Sequence, residues 1–468
     1  MSKPTLSDTM SRRRALCPAL FLSAPASGQG KTTISAGIAR LLKRQGKVVR
    51  VFKTGPDYLD PQILAQASDQ QVEPLDMWMA GQDWCRHKLY QAAQEADLIL
   101  IEGAMGMFDG EPSSADLAAY FKIPIVIIMD VKGMAQTAAA IAHGLASFRD
   151  DCHVYGLIAN KCGSERHRQL IEDALPESLP LLAALERGEN IALPERHLGL
   201  VQACEVQDQL ESRFEAAADL LAKAELDKAL ANLPQCEFYE QDLPPIAPLL
   251  TGLKIGIARD AAFSFIYQAN VQLLEDMGAQ LRFFSPLQDS DLPAVDALWL
   301  PGGYPELHAA QLANNHNLIT QIKAFFIAGK AILAECGGFL YCLQSLTDLD
   351  QIEHPMLGLM AGHGVMRGKR GCQGMQTALL PEGEVRGHAH HRSRSCDTPE
   401  PIAYGKRQRH PAPGEAIYRQ GSLIASYLHL FFPSNPEAVA KIFTTNSFDC
   451  AIPEAKEKTT EKGINSAY

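Results

Sequence analysis

The segment that most restricts the fold of this chain is an apolar run, Ala19-Leu20-Phe21-Leu22. It passes through Ser27-Gly28-Gln29-Gly30-Lys31-Thr32-Thr33 into a helix-period stretch over 32–45. A buried strand that turns on glycines into a helix beginning Lys-Thr is a phosphate cradle. Its backbone N–H groups and helix N-terminus face an anion, the lysine reaches the terminal phosphates, and the threonine hydroxyl is placed to ligate Mg²⁺. The match to G-x-x-x-x-G-K-[ST] is partial, because Pro25 stands where the first glycine belongs. A glycine turn without a ligand is the rival reading, and the strand–loop–helix order argues against it. Gly28, Gly30, Lys31, Thr32 and Thr33 are therefore the expected nucleotide-binding residues.

The loop demands a parallel sheet around it, and the sequence supplies one. Apolar runs at 19–23, 47–52, 97–101, 123–130 and 154–159 alternate with helical stretches such as 32–45 and 133–148. Ile125-Val126-Ile127-Ile128-Met129 is apolar throughout, as a strand covered on both faces must be. The alternation predicts an α/β, doubly wound parallel sheet over 18–231, preceded by a polar, basic and disordered stretch at 1–17. Ligands bind such sheets at the C-terminal ends of the strands. Two of those ends carry chemistry here: Lys53-Thr54-Gly55-Pro56-Asp57-Tyr58-Leu59-Asp60 and Glu102-Gly103-Ala104-Met105-Gly106-Met107-Phe108-Asp109. An acid that closes an apolar strand beside a phosphate loop faces the metal, so Thr32 and Glu102 are the expected Mg²⁺ ligands. Asp57 as a turn cap and Asp109 as a turn residue before Gly110 are the competing structural roles. Asn160-Lys161 is a weaker candidate for purine contact.

Residues 232–250, with Pro234, Pro244, Pro245 and Pro248, break the rhythm and read as a linker. A second α/β rhythm begins at Leu253-Lys254-Ile255-Gly256-Ile257-Ala258, continues with strands at 280–284, 296–300 and 331–335, and gives way to an antiparallel or mixed region over 355–430. This second domain spans 251–447, and the charged stretch 448–468 reads as a loose tail. Cys336 follows the apolar strand Ala331–Glu335 and precedes Gly337-Gly338, the setting of an elbow that exposes a nucleophile above a sheet. A helix N-terminus at that point favours the thiolate. Pro301-Gly302-Gly303-Tyr304 offers backbone N–H groups for an oxyanion hole, and His429, after another apolar run, offers a base. Gly387-His388-Ala389-His390-His391-Arg392 reads as an anion-binding or substrate-facing segment, and His197 as a structural or capping residue.

Composition removes other classes. The formal net charge of −11 opposes binding to nucleic acid. Eleven cysteines without a CxxC give no zinc pattern and fit reduced thiols. Arg12-Arg13-Arg14 and the apolar residues to Ala24 imitate a signal peptide, but cleavage near Ala26 would remove the strand that feeds the phosphate loop. No apolar run approaches the roughly 18 residues of a membrane span. A cytoplasmic protein is expected.

These residues together carry a resemblance. The chain, from about Leu20 to Phe443, resembles the cobyrinate or hydrogenobyrinate a,c-diamide synthases of cobalamin biosynthesis. The P-loop segment, Lys53 to Pro61, Ile101 to Gly110, Ala192 to Leu200, Pro301 to Glu306, Ala334 to Gly338 and Ser426 to His429 bear it. The resemblance implies a dethiobiotin-synthetase-like P-loop domain fused to a class I glutamine amidotransferase domain of flavodoxin-like α/β fold. It implies a ligase that takes ATP, L-glutamine and a corrinoid, and possible homodimer formation. Cys336 and His429 would be its glutaminase pair, Gly302 and Gly303 its oxyanion hole, and Lys53, Asp57, Tyr58, Leu59, Asp60 and Asp109 its substrate contacts. Two rivals are the related synthase acting on nickel-sirohydrochlorin and a ParA-like ATPase with a degenerate amidotransferase domain. Ala26 in the place of the ParA signature lysine opposes the latter. The chain departs from class I amidotransferases at Phe431, where an acid usually follows the histidine by two residues, and from many relatives at Ala389, where they carry Glu.

Overall fold

The computed structural model describes residues 13–188, 191–193, 195–196, 199–200, 207–367 and 373–445. His197 and the tail expected at 448–468 lie outside them.

The phosphate-loop half is built on β1 (Arg14–Ser23), β2 (Val49–Lys53), β3 (Glu73–Pro74), β4 (Leu98–Glu102), β5 (Ile125–Asp130), β6 (Val154–Cys162) and β7 (Leu181–Glu186), in the spatial order β3-β2-β4-β1-β5-β6-β7. These pairings are all parallel. Leu98–Glu102 is buried along its whole length and Ile125–Met129 likewise, because helices cover both faces of the sheet. Each side of the sheet thus has its own apolar layer, with Phe21 and Ile101 in one and Leu22 and Leu100 in the other. Alternation of side chains along a strand puts neighbours on opposite faces.

A small two-stranded ribbon, β8 (Glu195–Arg196) with β9 (Gly199–Leu200), is followed by β10 (Gln235–Tyr239). β10 corrects two expectations. It lies antiparallel on the start of β1, pairing Arg14 with Tyr239 and Cys17 with Cys236. Residues 14–17 are therefore strand, not disordered leader, and the first part of the expected linker belongs to the first sheet. The physical reason is a short period-2 pattern in which Cys236 and Phe238 are buried between exposed Gln235 and Glu237. The prolines nearby masked it.

The second half carries a ten-stranded sheet. Its parallel part comprises β11 (Lys254–Ala258), β12 (Gln280–Phe284), β13 (Ala297–Leu300) and β14 (Ile332–Glu335). A small four-stranded sheet of β15 (Ser345–Thr347), β16 (Glu353–Pro355), β17 (His363–Met366) and β20 (Ser393–Cys396) lies apart. The large sheet is completed by β18 (Gln373–Leu380), β19 (Gly383–His390), β21 (Ala403–Arg407), β22 (Pro413–Gln420), β23 (Leu423–Ser426) and β24 (Leu428–Leu430). Here β23 runs parallel to β14, and β22, β21, β18, β19 and β24 follow by antiparallel pairings. That topology brings β24 beside β19 in a register where His388 faces His429. Among the described residues, no helix is long and apolar enough to cross a membrane.

Candidate active site

The strand ends of both halves open on one cavity of about 1050 Å³. Lys31 and Lys53 line it from one side, Cys336 and His429 from the other. The residues expected from sequence for the nucleotide, the substrate and the thiol chemistry are thus brought together, although they come from different sheets.

On the phosphate-loop side, Gly28 and Gly30 adopt φ of 78° and 92°, the left-handed turn that leads into the helix Lys31–Arg44. A side chain at Gly30 would overlap the Asn160 amide, which donates to the Gln29 carbonyl at 3.0 Å. Asn160 therefore braces the loop, and Lys161 pairs with Asp130 at 2.6 Å. Lys31 Nζ donates to the Met105 carbonyl at 2.8 Å, and burial followed by the neighbouring Lys53 charge pulls its pKa down. Thr32 Oγ1 donates to Glu102 Oε1 at 2.9 Å. Glu102 is buried, and its second carboxylate oxygen has no hydrogen-bond partner.

Lys53 Nζ stands 3.5 Å from Asp60 and 3.6 Å from Glu102. Burial alone would favour its neutral form, but Glu102, Asp60 and Asp57 overcome that and hold the ammonium firmly charged. Burial and the Asp57 charge push the Asp60 carboxyl well above its ordinary range. Asp57 Oδ1 accepts from the N–H groups of Leu59 and Asp60 at 3.0 and 3.1 Å, so it does fix the turn into the helix Leu59–Ser68. Asp109 likewise accepts from Gly106 N–H at 3.2 Å while lining the cavity. For these two acids the turn role and the cavity position coexist.

On the thiol side, Cys336 has φ 46° and ψ −101°, a conformation a non-glycine residue holds only when its surroundings enforce it. Its N–H donates to Ser426 O at 2.8 Å, and the short helix Gly337–Cys342 starts directly after it. Close packing explains the glycines. A side chain at Gly338 would overlap the Leu300 carbonyl, and one at Gly337 would meet Gly303 N at 2.9 Å. Gly302 lies against the His429 ring on one side and 3.4 Å, by its would-be Cβ, from Cys336 Cβ on the other. Thiol and imidazole thus converge on one glycine.

The expected depression of the thiol pKa is corrected. Burial, with the Glu306 carboxylate next, pushes Cys336 well up, and six residues of helix do not offset it. Burial also pushes His429 far down and His388 to about 3, so both imidazoles are neutral. His429 Nδ1 has no hydrogen-bond partner. Phe431, in the place of the usual acid, is fully buried and packs edge-on against Trp84 at 5.4 Å. Glu335 accepts from Leu430 N–H at 2.8 Å and Trp299 Nε1–H at 2.9 Å, which ties the strand of His429 to that of Cys336; burial raises it to about 8.

Sequence reasoning missed Phe265 and Tyr267, which pack on Tyr58 across the two halves, and Glu306, buried beside the thiol and raised by burial to about 7. Glu306 stood in a segment already singled out. The two aromatics follow β11 at a strand's C-terminal end, and that position was their only signal.

The fold and site define a phosphate-loop nucleotide-binding domain joined to a glutamine amidotransferase domain. Residues 20–201 match the family model of the CobQ/CobB/MinD/ParA nucleotide binding domain, and residues 254–437 that of the CobB/CobQ-like glutamine amidotransferase domain. A hydrogenobyrinate a,c-diamide synthase of Stutzerimonas stutzeri is 51% identical over 427 residues, covering 91% of this chain and 98% of its own. Its counterpart from Pseudomonas aeruginosa is 49% identical over 431 residues, covering 92% and 98%. A cobyrinate a,c-diamide synthase of Herminiimonas arsenicoxydans is 45% identical over 435 residues, covering 91% and 96%. The chain belongs to the cobyrinate and hydrogenobyrinate a,c-diamide synthase family.

Proposed function

We propose that this protein amidates the a- and c-acetate side chains of hydrogenobyrinate or cobyrinate, using ATP to activate each carboxylate and glutamine as the nitrogen source. The observation that carries the reading is the single cavity lined by both the phosphate loop and the Cys336–His429 pair. In it, Cys336 attacks the glutamine amide carbon while His429 takes the thiol proton and passes it to the departing ammonia. The N–H groups of Gly302 and Gly303 receive the developing oxyanion. Water then hydrolyses the glutamyl thioester. A macrocycle carboxylate takes the γ-phosphoryl group of ATP, and ammonia displaces phosphate from that acyl phosphate. Gly28, Gly30, Lys31, Thr32 and Thr33 cradle the nucleotide, and Lys53 holds the charge of the carboxylate being phosphorylated. Asp57, Tyr58, Leu59, Asp60 and Asp109 shape the macrocycle side.

Thr32 and Glu102 fit Mg²⁺: both present hard oxygen, and one buried Glu102 oxygen has no partner. The ion would neutralise charge on the β- and γ-phosphates. The reaction belongs in the cytoplasm, which supplies ATP and keeps thiols such as that of Cys336 reduced. A homodimer is part of the proposal, and sedimentation equilibrium reads it.

The test is Cys336→Ala with each macrocycle, read by product mass. Glutamine-supported amidation should vanish while ammonia-supported amidation survives. A variant that still uses glutamine would overturn the assignment, and so would a wild-type enzyme that leaves both macrocycles unchanged.

A further inference from the structure

Tyr58 belongs by sequence to the substrate segment of the first half, yet its ring lies inside the second. It stacks on Phe265 with centroids 5.0 Å apart and planes within 2°. It also contacts Tyr267 at 4.5 Å, His388 at 5.5 Å and the His429 ring at 5.2 Å. His388, opposite His429 in the strand register, stacks on it at 5.0 Å with planes 17° apart. His429 has no partner on Nδ1, and the position two residues on is a phenylalanine that points elsewhere. The imidazole is held by packing: Gly302 beneath it, and His388 and Tyr58 around it.

Tyr58 is also the end of a polar chain that starts at the phosphate loop. Thr32 bonds Glu102 at 2.9 Å, Glu102 and Asp60 share Lys53 at 3.6 and 3.5 Å, and Asp57 fixes the turn that carries Tyr58, Leu59 and Asp60. Lys53 is divided between two carboxylates. A phosphate or carboxylate arriving at the phosphate loop competes for that ammonium, because charge-assisted bonds to an anion are among the strongest available to it. Asp60 lies two residues beyond Tyr58 in that turn, so the Lys53–Asp60 pair and the ring against His429 belong to one short segment.

We propose that Tyr58 is a positioning residue for the glutaminase base: its ring sets the attitude of His429, in place of the missing acid, and makes that attitude depend on occupancy of the ATP and macrocycle site. Glutamine is then hydrolysed at full rate only when a carboxylate is ready for the ammonia. The inference rests on the amidoligase reading.

The experiment measures glutamine hydrolysis with and without ATP and macrocycle, beside ammonia-supported amidation, in wild type, Tyr58→Ala, Tyr58→Phe and Phe265→Leu. The wild-type glutaminase should be stimulated by the synthetase substrates by about tenfold or more, the scale of losses that follow from slight misplacement of a catalytic group. Tyr58→Ala should lose that stimulation while ammonia-supported amidation falls much less, and Tyr58→Phe, which keeps the ring, should restore it. Phe265→Leu removes the ring stacked on Tyr58, together with its own contact to the His429 ring at 5.9 Å, and should reproduce the loss without touching the phosphate-loop half, so a folding defect in Tyr58→Ala does not decide the matter. Absence of stimulation in wild type, its persistence in Tyr58→Ala and Phe265→Leu, or an equal fall with both nitrogen sources would overturn the proposal. Failure of the amidoligase reading looks different: the wild type would then make no amide from either source.

Discussion

Gly302→Ala is the sharpest probe of the thiol site. Gly302 does not have a positive φ, so alanine imposes no backbone strain and the effect is purely the added methyl. That methyl would stand 2.8 Å from His429 Nδ1, overlap Cε1, and touch Cys336 Cβ at 3.4 Å. Carbon contacts relax at about 3.5–4.0 Å, so the ring must withdraw by on the order of 1 Å. It cannot do so freely, because His388 and Tyr58 hold its other sides. A displacement of about 1 Å costs roughly 10²-fold in rate, equivalent to about 2.7 kcal/mol of barrier. The assay is paired: macrocycle and ATP with either glutamine or ammonium chloride, products resolved by mass. Glutamine-supported amidation should drop by about 10²-fold, with the ammonia-supported rate within about threefold of wild type. A variant that uses glutamine at the wild-type rate would show that His429 is not the base, or that Gly302 does not seat it.

Glu102→Gln removes the charge that Thr32 and Lys53 share, so amidation should fall on the order of 10²-fold with glutamine and ammonia alike; unchanged Mg²⁺-dependent ATP binding by calorimetry would refute the metal role. Buried Glu335, raised to about 8, and Glu306, raised to about 7, give a stability signature. Each holds a proton in the folded chain that it has lost when unfolded, so stability is fully present below the ordinary glutamate pKa of about 4.3 and declines as pH rises through 7 and 8. Histidines of the unfolded chain and the buried thiols also titrate between about pH 6.5 and 8.5, but alike in both proteins, so the difference in Tm between wild type and Glu335→Gln over that range reads Glu335. The fall should be shallower in Glu335→Gln, and identical slopes in the two proteins would sink the assignment.

Much of this was legible because it is local. The phosphate loop, the apolar strands and the Cys336 elbow each lie within a dozen residues, where side-chain period and glycine placement speak directly. The strand at 280–284 is found with the same bounds as read from the sequence, and the others shift by a few residues. What escaped depends on partners distant in sequence. Gln235–Tyr239 is a strand because Arg14–Pro18 offers its period-2 pattern an edge, and five residues of alternation do not by themselves outweigh the neighbouring prolines. The lowered thiol pKa was inferred from a helix end, which sequence shows, against enclosure by Glu306 and the cavity wall, which it does not. Tyr58 was read as a substrate contact alone, since its four aromatic neighbours come from the other half of the chain.

Phe431 joins these findings. A carboxylate two residues after His429 would hold the imidazole by a hydrogen bond and raise its pKa, favouring a thiolate–imidazolium pair. With phenylalanine there, burial acts unopposed on both partners, and thiol and imidazole stay neutral. Such a pair is a poor glutaminase until something aligns it, since the proton must leave sulfur as the carbon–sulfur bond forms. The phenylalanine meanwhile packs with Met79 and Trp84 of the phosphate-loop half and Tyr267 of its own. The same position that would orient the base thus binds the two halves together. Under the proposed mechanism, loss of the acid and gain of the contact act in one direction: they would move control of glutamine hydrolysis from the histidine's own strand to the domain where the ammonia is consumed.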